Sequence, residues 1–186
     1  MDLKTSTASG ASETRPRQTR DLVALVFRVR RAPVLEDLAL LAGRIALFWV
    51  FIYYGAGKLF GAFNGPGLHN TALYFSNTAH LHPGGFFAVL GGLIEFSSAI
   101  AMVLGLCVRL AGLALFGDMV MAMITVTWST GLNTSHPPPG YQLNLALGVL
   151  ALVIAALGAG RFSLDAVIDR AIVSERAGSK VSGGAP

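Results

Sequence analysis

The chain has 186 residues, 53% of them hydrophobic and only 13% charged, with a formal net charge of +4. Residues 1–37 hold twelve charged side chains and residues 161–186 hold seven, but the 123 between hold five, Arg44, Lys58, Glu95, Arg109 and Asp118, which excludes a soluble surface there. The basic excess lies in the tails without interleaved aromatics, which speaks against nucleic acid, and the one cysteine, Cys107, excludes an internal disulfide, a CxxC pair and a thiolate metal cluster.

Residues 1–20 are Ser/Thr/Arg-rich and are expected to be disordered. The stretch LVALVF at 22–27 is too short for a signal-peptide core, so secretory processing is not expected. Residues 21–31 mix apolar and basic positions and suit an anionic membrane surface. Residues 1–37 thus read as a tail, 38–160 as the membrane domain and 161–186 as a second tail.

Four apolar spans follow Pro33. They run over about 38–61, 85–106, 109–129 and 141–158, each close to the ~20 residues that cross a hydrocarbon core. Backbone groups in lipid must be paired within the segment, so the spans are predicted to be helices. The fold class is therefore all-α, a four-transmembrane-helix bundle. A long neutral loop at 62–84, with a short helix expected around 70–79, joins the first two spans. A tight turn, GLCVR at 105–109, makes a hairpin of the next two, and TGLNTSHPPPG at 130–140 is held extended by three prolines. Lys and Arg occur in both tails and at Arg109, and in neither long loop. The positive-inside rule then places both termini in the cytoplasm and the long loops outside, in a cytoplasmic (inner) membrane.

The stretch YYGAGKLF, 53–60, contains a GAGK that invites comparison with a phosphate loop. It has no strand before it, too short a Gly-to-Lys spacing, and Leu59 where a Ser or Thr belongs. Lys58 is better explained as the partner of a buried carboxylate, with Gly55 and Gly57 letting a neighbouring helix come close. Gly57 and Gly61 also have the GxxxG spacing of packed membrane helices.

Ionisable groups at membrane depth are costly and are usually paired or functional. Glu95 and Asp118 each fall near the middle of a span, Lys58 near the outer end of the first and Arg44 two turns inside its inner end. Arg44 and Lys58 are fourteen residues apart, close to four turns, and share a face. Two pairings are predicted, Lys58 with Glu95 and Arg44 with Asp118. They can fix helix register or serve a ligand or a proton. Asn144 and Gln142 add amides at the outer start of the fourth span. Lys58, Glu95 and Asp118 are the candidates for chemistry, and Lys58, Glu95 and Asn144 for holding a quinone head group.

The four histidines, His69, His80, His82 and His136, all fall in the outer loops. His80, His82 and His136 are the candidates for a metal, since imidazole is a common zinc and copper ligand. No acidic residue in those loops completes a site, so no metal is expected. Tyr53, Tyr54, Tyr74, Trp128 and Tyr141 fall near the outer boundary and read as an interfacial belt rather than a quinone clamp.

The stretches GRIALFWVFIYYGAGKLF, GGLIEFSSAIAMVLGLCVRLAGLAL and YQLNLALGVLALVIAALGAGRFSLDAV, in this order and spacing, resemble the DoxX family of small four-helix membrane proteins. Together they span about residues 43–168, outer loops apart. Two departures stand out: Gln142 where the family often has glutamate, and GAGR at 158–161 where it often has GPGR. The resemblance implies association with membrane redox systems, as in the small subunit of thiosulfate:quinone oxidoreductases and in relatives linked to oxidative stress. It implies other subunits or a homo-oligomer as partners besides the bilayer, and quinone as an external ligand; the spans hold no Rossmann fingerprint, CxxC or axial-ligand pair, so no intrinsic cofactor is expected. Whether the chain itself takes part in catalysis stays open. A non-enzymatic scaffold or assembly factor is the alternative, and a small transporter a third.

Overall fold

The computed structural model of the chain describes residues 33–132 and 139–172. The expected surface segment 21–31, both distal tails, His136 and most of the proline loop lie outside the described residues. Helix α1 is Pro33–Phe60, opened by a proline whose fixed φ suits a first helical turn. A 3₁₀ turn, Ala62–Asn64, leads to α2, Gly67–Asn77, close to the short helix expected in the loop. Helix α3 is Gly84–Leu104. Helix α4, Val108–Ala122, continues through a π turn, Met123–Thr127, and a 3₁₀ turn, Trp128–Thr130. Helix α5 is Gln142–Leu157, and α6 covers residues 164–172. There is no strand among the described residues.

Three helices are long and apolar enough to cross a membrane: Val34–Phe60, Gly84–Leu104 and Val108–Thr130. Helix α5 is equally apolar but has 16 residues. Large side chains such as Trp49, Leu110 and Ile124 point away from the protein, more than 60% exposed. A water-soluble monomer does not tolerate so many, whereas a lipid-facing surface requires them. The chain is a membrane-embedded, multi-pass protein.

The helices run antiparallel. Going up α1, Gly43 meets Ile154 of α5, Arg44 meets Met102 of α3, and Gly55 meets Phe96 of α3. Along α4, Gly112 lies against Ala151 and Ala155, and Met119 against Gly148. Leu47, Phe51, Ala99, Met102, Leu115 and Ile154 fill the space between. The α3–α4 turn depends on Gly105, whose φ of +69° favours glycine. A Cβ there would also come within 2.6 Å of the Ser163 Cβ. Gly57 and Gly61 do not form a helix–helix seam; both pack against the chain at 62–67, which folds straight back onto them.

One end of the bundle is locked by hydrogen bonds. Arg44 is 1% exposed. Its Nε donates to the Met102 carbonyl at 2.8 Å and one terminal nitrogen donates to Val103 at 3.4 Å. The other donates to Ala159 at 2.7 Å and Phe162 at 2.9 Å. Met102 and Val103 belong to the last turn of α3, where carbonyls have no partner within the helix and where a cation also complements the helix dipole. Asp165 performs the opposite service for α4. Its carboxylate accepts from the Cys107 and Val108 amides at 2.8 and 3.2 Å, capping the helix start, and it supplies counter-charge to Arg44. Asp37 accepts from the Arg161 amide at 3.0 Å.

The expected Arg44–Asp118 pair does not form. Arg44 is level with the end of α3, and Asp118 is level with Gly91, three turns further along that helix. Sharing a face of α1 with Lys58 did not bring Arg44 near the same partners. The eleven residues from Arg44 to Gly55 separate the two levels by about 16 Å.

Candidate functional site

Gly55 sets the site. A Cβ at this position would lie 2.6 Å from the Phe96 amide nitrogen and 3.1 Å from the Glu95 Cβ. Only a glycine lets the α1 backbone lie this close to α3. One turn later Lys58 is in reach of Glu95, and its Nζ donates to Oε1 at 2.7 Å. The Glu95 side chain is 3% exposed and that of Lys58 24%. This is a short, charge-assisted bond between one buried partner and one with access to the outside.

Asp118 joins from α4. Its Oδ1 lies 3.7 Å from where a Cβ on Gly91 would be, one turn before Glu95 on α3, and it interacts electrostatically with Glu95 and Lys58. The two carboxyls and the ammonium therefore form one cluster from three helices. Glu95 Oε2 is buried and is the one side-chain polar atom of that kind without a donor, among the described residues. Both carboxylates are acceptors when ionised, so their proximity alone gives Oε2 nothing to bond.

The cluster forms part of the wall of a cavity of 1260 Å³. That is larger than the roughly 300–1,000 Å³ usual for small-molecule pockets. Its remaining wall is mainly apolar, with Phe51, Ile94 and Leu147 among the contributors. Tyr53, Tyr54 and Tyr74, expected in an interfacial belt, also line it. Asn144 and Gln142 reach the cavity from α5, and the Asn144 amide is 3.5 Å from the Thr127 hydroxyl. Thr127 ends the π turn at Met123–Thr127, which lines the cavity beyond Asp118. Such turns interrupt a helix at a cost in regularity and are frequent at functional sites. Nothing in the residues 123–127 announced it.

The histidines lie apart. His69, His80 and His82 are exposed and do not line the cavity. No group of three His, Cys, Asp or Glu suited to a metal occurs among the described residues. The sequence brought Lys58 and Glu95 together and the structure has them bonded. It assigned Asp118 to the wrong cation, although the signal was present. Glu95 lies nine residues before the end of α3 and Asp118 ten residues after the start of α4. A hairpin with so tight a turn puts them at the same depth.

No curated protein and no solved structure matches the chain significantly. The family model DoxX matches residues 39–128, from the second turn of α1 to the first residue after the π turn. All three members of the charged cluster, and four of the five helices that line the cavity, fall inside those bounds. Residues 39–128, just under half of the chain, are thus a DoxX domain, carried by a membrane-embedded protein.

Proposed function

We propose that the chain is a small subunit of a redox-linked membrane complex and that its cavity takes the head group of a quinone. The observation that carries this is the Lys58–Glu95–Asp118 cluster on the wall of a large apolar cavity. A quinone needs a donor to its carbonyls, its quinol form an acceptor for its hydroxyls, and both an apolar slot for the ring. Lys58 has N–H donors beyond the one given to Glu95, the carboxyls are acceptors, and Asn144 adds an amide. Electrons would come from a partner protein, since no intrinsic cofactor is part of this reading.

Four spans with both termini in the cytoplasm suit the same picture. Helix α5 runs the length of α4 from the cavity to the Arg44 end, and its 16 residues reach about 24 Å. Arg109, beside Gly158, and Arg161, beside Asp37, belong to the Arg44 end, which the positive-inside rule makes cytoplasmic. The cavity then lies in the outer half of the membrane.

The test is purification of the protein with its partners from native membranes, followed by extraction and identification of bound quinone. A photoreactive quinone should label α3 or α4 near Glu95 and Asp118, and Glu95→Gln should abolish that labelling while the protein still inserts. Labelling of Glu95→Gln at the wild-type level would overturn the assignment.

A further inference from the structure

The cluster has more acceptors than donors. Glu95 Oε1 is bonded to Lys58, Glu95 Oε2 is buried without a donor, and Asp118 Oδ1 lies 3.7 Å from where a Cβ on Gly91 would be, one turn before Glu95 on the same face of α3. With both carboxyls ionised the cluster would carry a net charge of −1 in an apolar surrounding. Two like charges at such close range do not both persist, which is why paired carboxyls in other proteins share a proton. Among the described residues the cavity wall offers no second cation. Tyr53 and Tyr54 of α1 and Tyr74 of α2 are the other titratable groups on the cavity wall, and α5 brings only amides.

We infer that Glu95 and Asp118 hold one proton between them, so that with Lys58 the cluster is electrically neutral. The orphaned oxygen becomes part of a hydrogen bond, and the charge count closes at one ammonium, one carboxylate and one carboxylic acid. The proton belongs to the pair rather than to either residue. Glu95 and Asp118 both line the cavity, so this proton faces whatever occupies it. A neutral ligand that accepts one hydrogen bond and donates another suits such a wall, and an anion or a metal cation does not. The inference deepens the quinone site proposed above and rests on it for the identity of the ligand, not for the proton.

The arrangement makes an unusual demand on variants. Removing either carboxyl leaves one carboxylate for Lys58, with no need of a proton. Removing Lys58 leaves two carboxyls without a cation, so both should be protonated. Dicyclohexylcarbodiimide, which is apolar and adds to a protonated carboxyl in membrane surroundings, distinguishes these states by mass spectrometry of the modified peptides. Wild-type protein, purified in full length into lipid nanodiscs, should be modified once per chain, at Glu95 or Asp118. Glu95→Gln should lose modification at Asp118, and Asp118→Asn should lose it at Glu95. Lys58→Met should be modified at both. Wild-type protein left unmodified, or modified at both sites, overturns the shared proton, as does a single carboxyl variant whose remaining acid still reacts. The wild-type measurement stands even if a variant fails to fold. Adding a short-chain quinone in excess should slow the wild-type reaction. If it does not, while the pattern of modification holds, the proton stands and the quinone does not.

Discussion

Arg44 and Lys58 lie on one helix, on one face, fourteen residues apart, and the protein treats them in opposite ways. Arg44 is fully enclosed and gives its hydrogen bonds to four backbone carbonyls of two segments. Lys58 is partly accessible, bonded to a carboxylate beside a cavity. At the Arg44 end, charged side chains complete backbone groups that the helices leave unpaired, and Asp165 does the same for the start of α4. At the Lys58 end, charged side chains address each other and leave Glu95 Oε2 over. A charge used to finish the backbone closes a structure. A charge that leaves an acceptor over, beside open space, marks a place where something else, a proton first of all, can bind.

The sharpest way to break the contrast is at Arg44. Arg44→Ala removes donors from four carbonyls, and loss of a buried charged partner costs about 3–5 kcal/mol. We expect little folded protein, measured as the monodisperse fraction in mild detergent and its thermal midpoint. Arg44→Lys should not rescue it, because one ammonium cannot direct bonds to carbonyls on both sides of a planar guanidinium. If Arg44→Lys is as stable as the wild type, the closed end owes little to those bonds.

Gly55 comes next. Gly55→Leu would press a side chain into the α3 backbone at Phe96, and overpacking of this kind destabilises by about 1–3 kcal/mol. Its second effect is specific to the Lys58 end: pushing α1 from α3 should detach Lys58 from Glu95. Ligand binding should therefore fall more than stability does, read by titration of the folded fraction. An equal loss at both ends would mean that Gly55 only packs.

The Lys58–Glu95 bond can be weighed against its surroundings by a double-mutant cycle with Lys58→Met and Glu95→Gln. Partners in contact typically show interaction energies of about 0.5–3 kcal/mol. The double variant should be more stable than the sum of the single losses implies, because each single change already breaks the Lys58–Glu95 bond, which the second cannot break again. Additive losses, measured by unfolding in one detergent, would mean that the pair does not act as a unit.

Much of the scaffold was legible in the residues. Helix ends came within a few residues of those expected because Pro33, Gly105 and the neutral loops punctuate the apolar runs. The Lys58–Glu95 bond was legible because intramembrane charges seek partners. The Arg44 role was not. Its partners are carbonyls, which every residue has, so no side chain advertises them. The expectation that a buried cation pairs with a carboxylate sent Arg44 to Asp118. Counting outward from the Gly105 turn would have corrected it, since that count puts Asp118 beside Glu95. The π turn and the cavity come from how five helices meet, which no single stretch encodes.

The smallest effect is expected where the sequence looked most like a metal site. His80 and His82 are exposed, flank a turn after α2, and take no part in the cavity wall. Exposed changes away from caps, turns of special geometry and buried partners usually stay within about 0.5 kcal/mol. His80 departs from that description through a φ of +54°, a conformation that alanine tolerates no better. The double change His80→Ala with His82→Ala should therefore shift stability only slightly and leave labelling of Glu95 and Asp118 at the wild-type level. Addition of zinc or copper should not raise the thermal midpoint of the wild type above that of the variant. If the variant instead loses quinone-linked activity of the native complex while Glu95→Gln keeps it, the working surface of the protein is the loop at 62–84, and the charged cluster serves only to hold α1, α3 and α4 together.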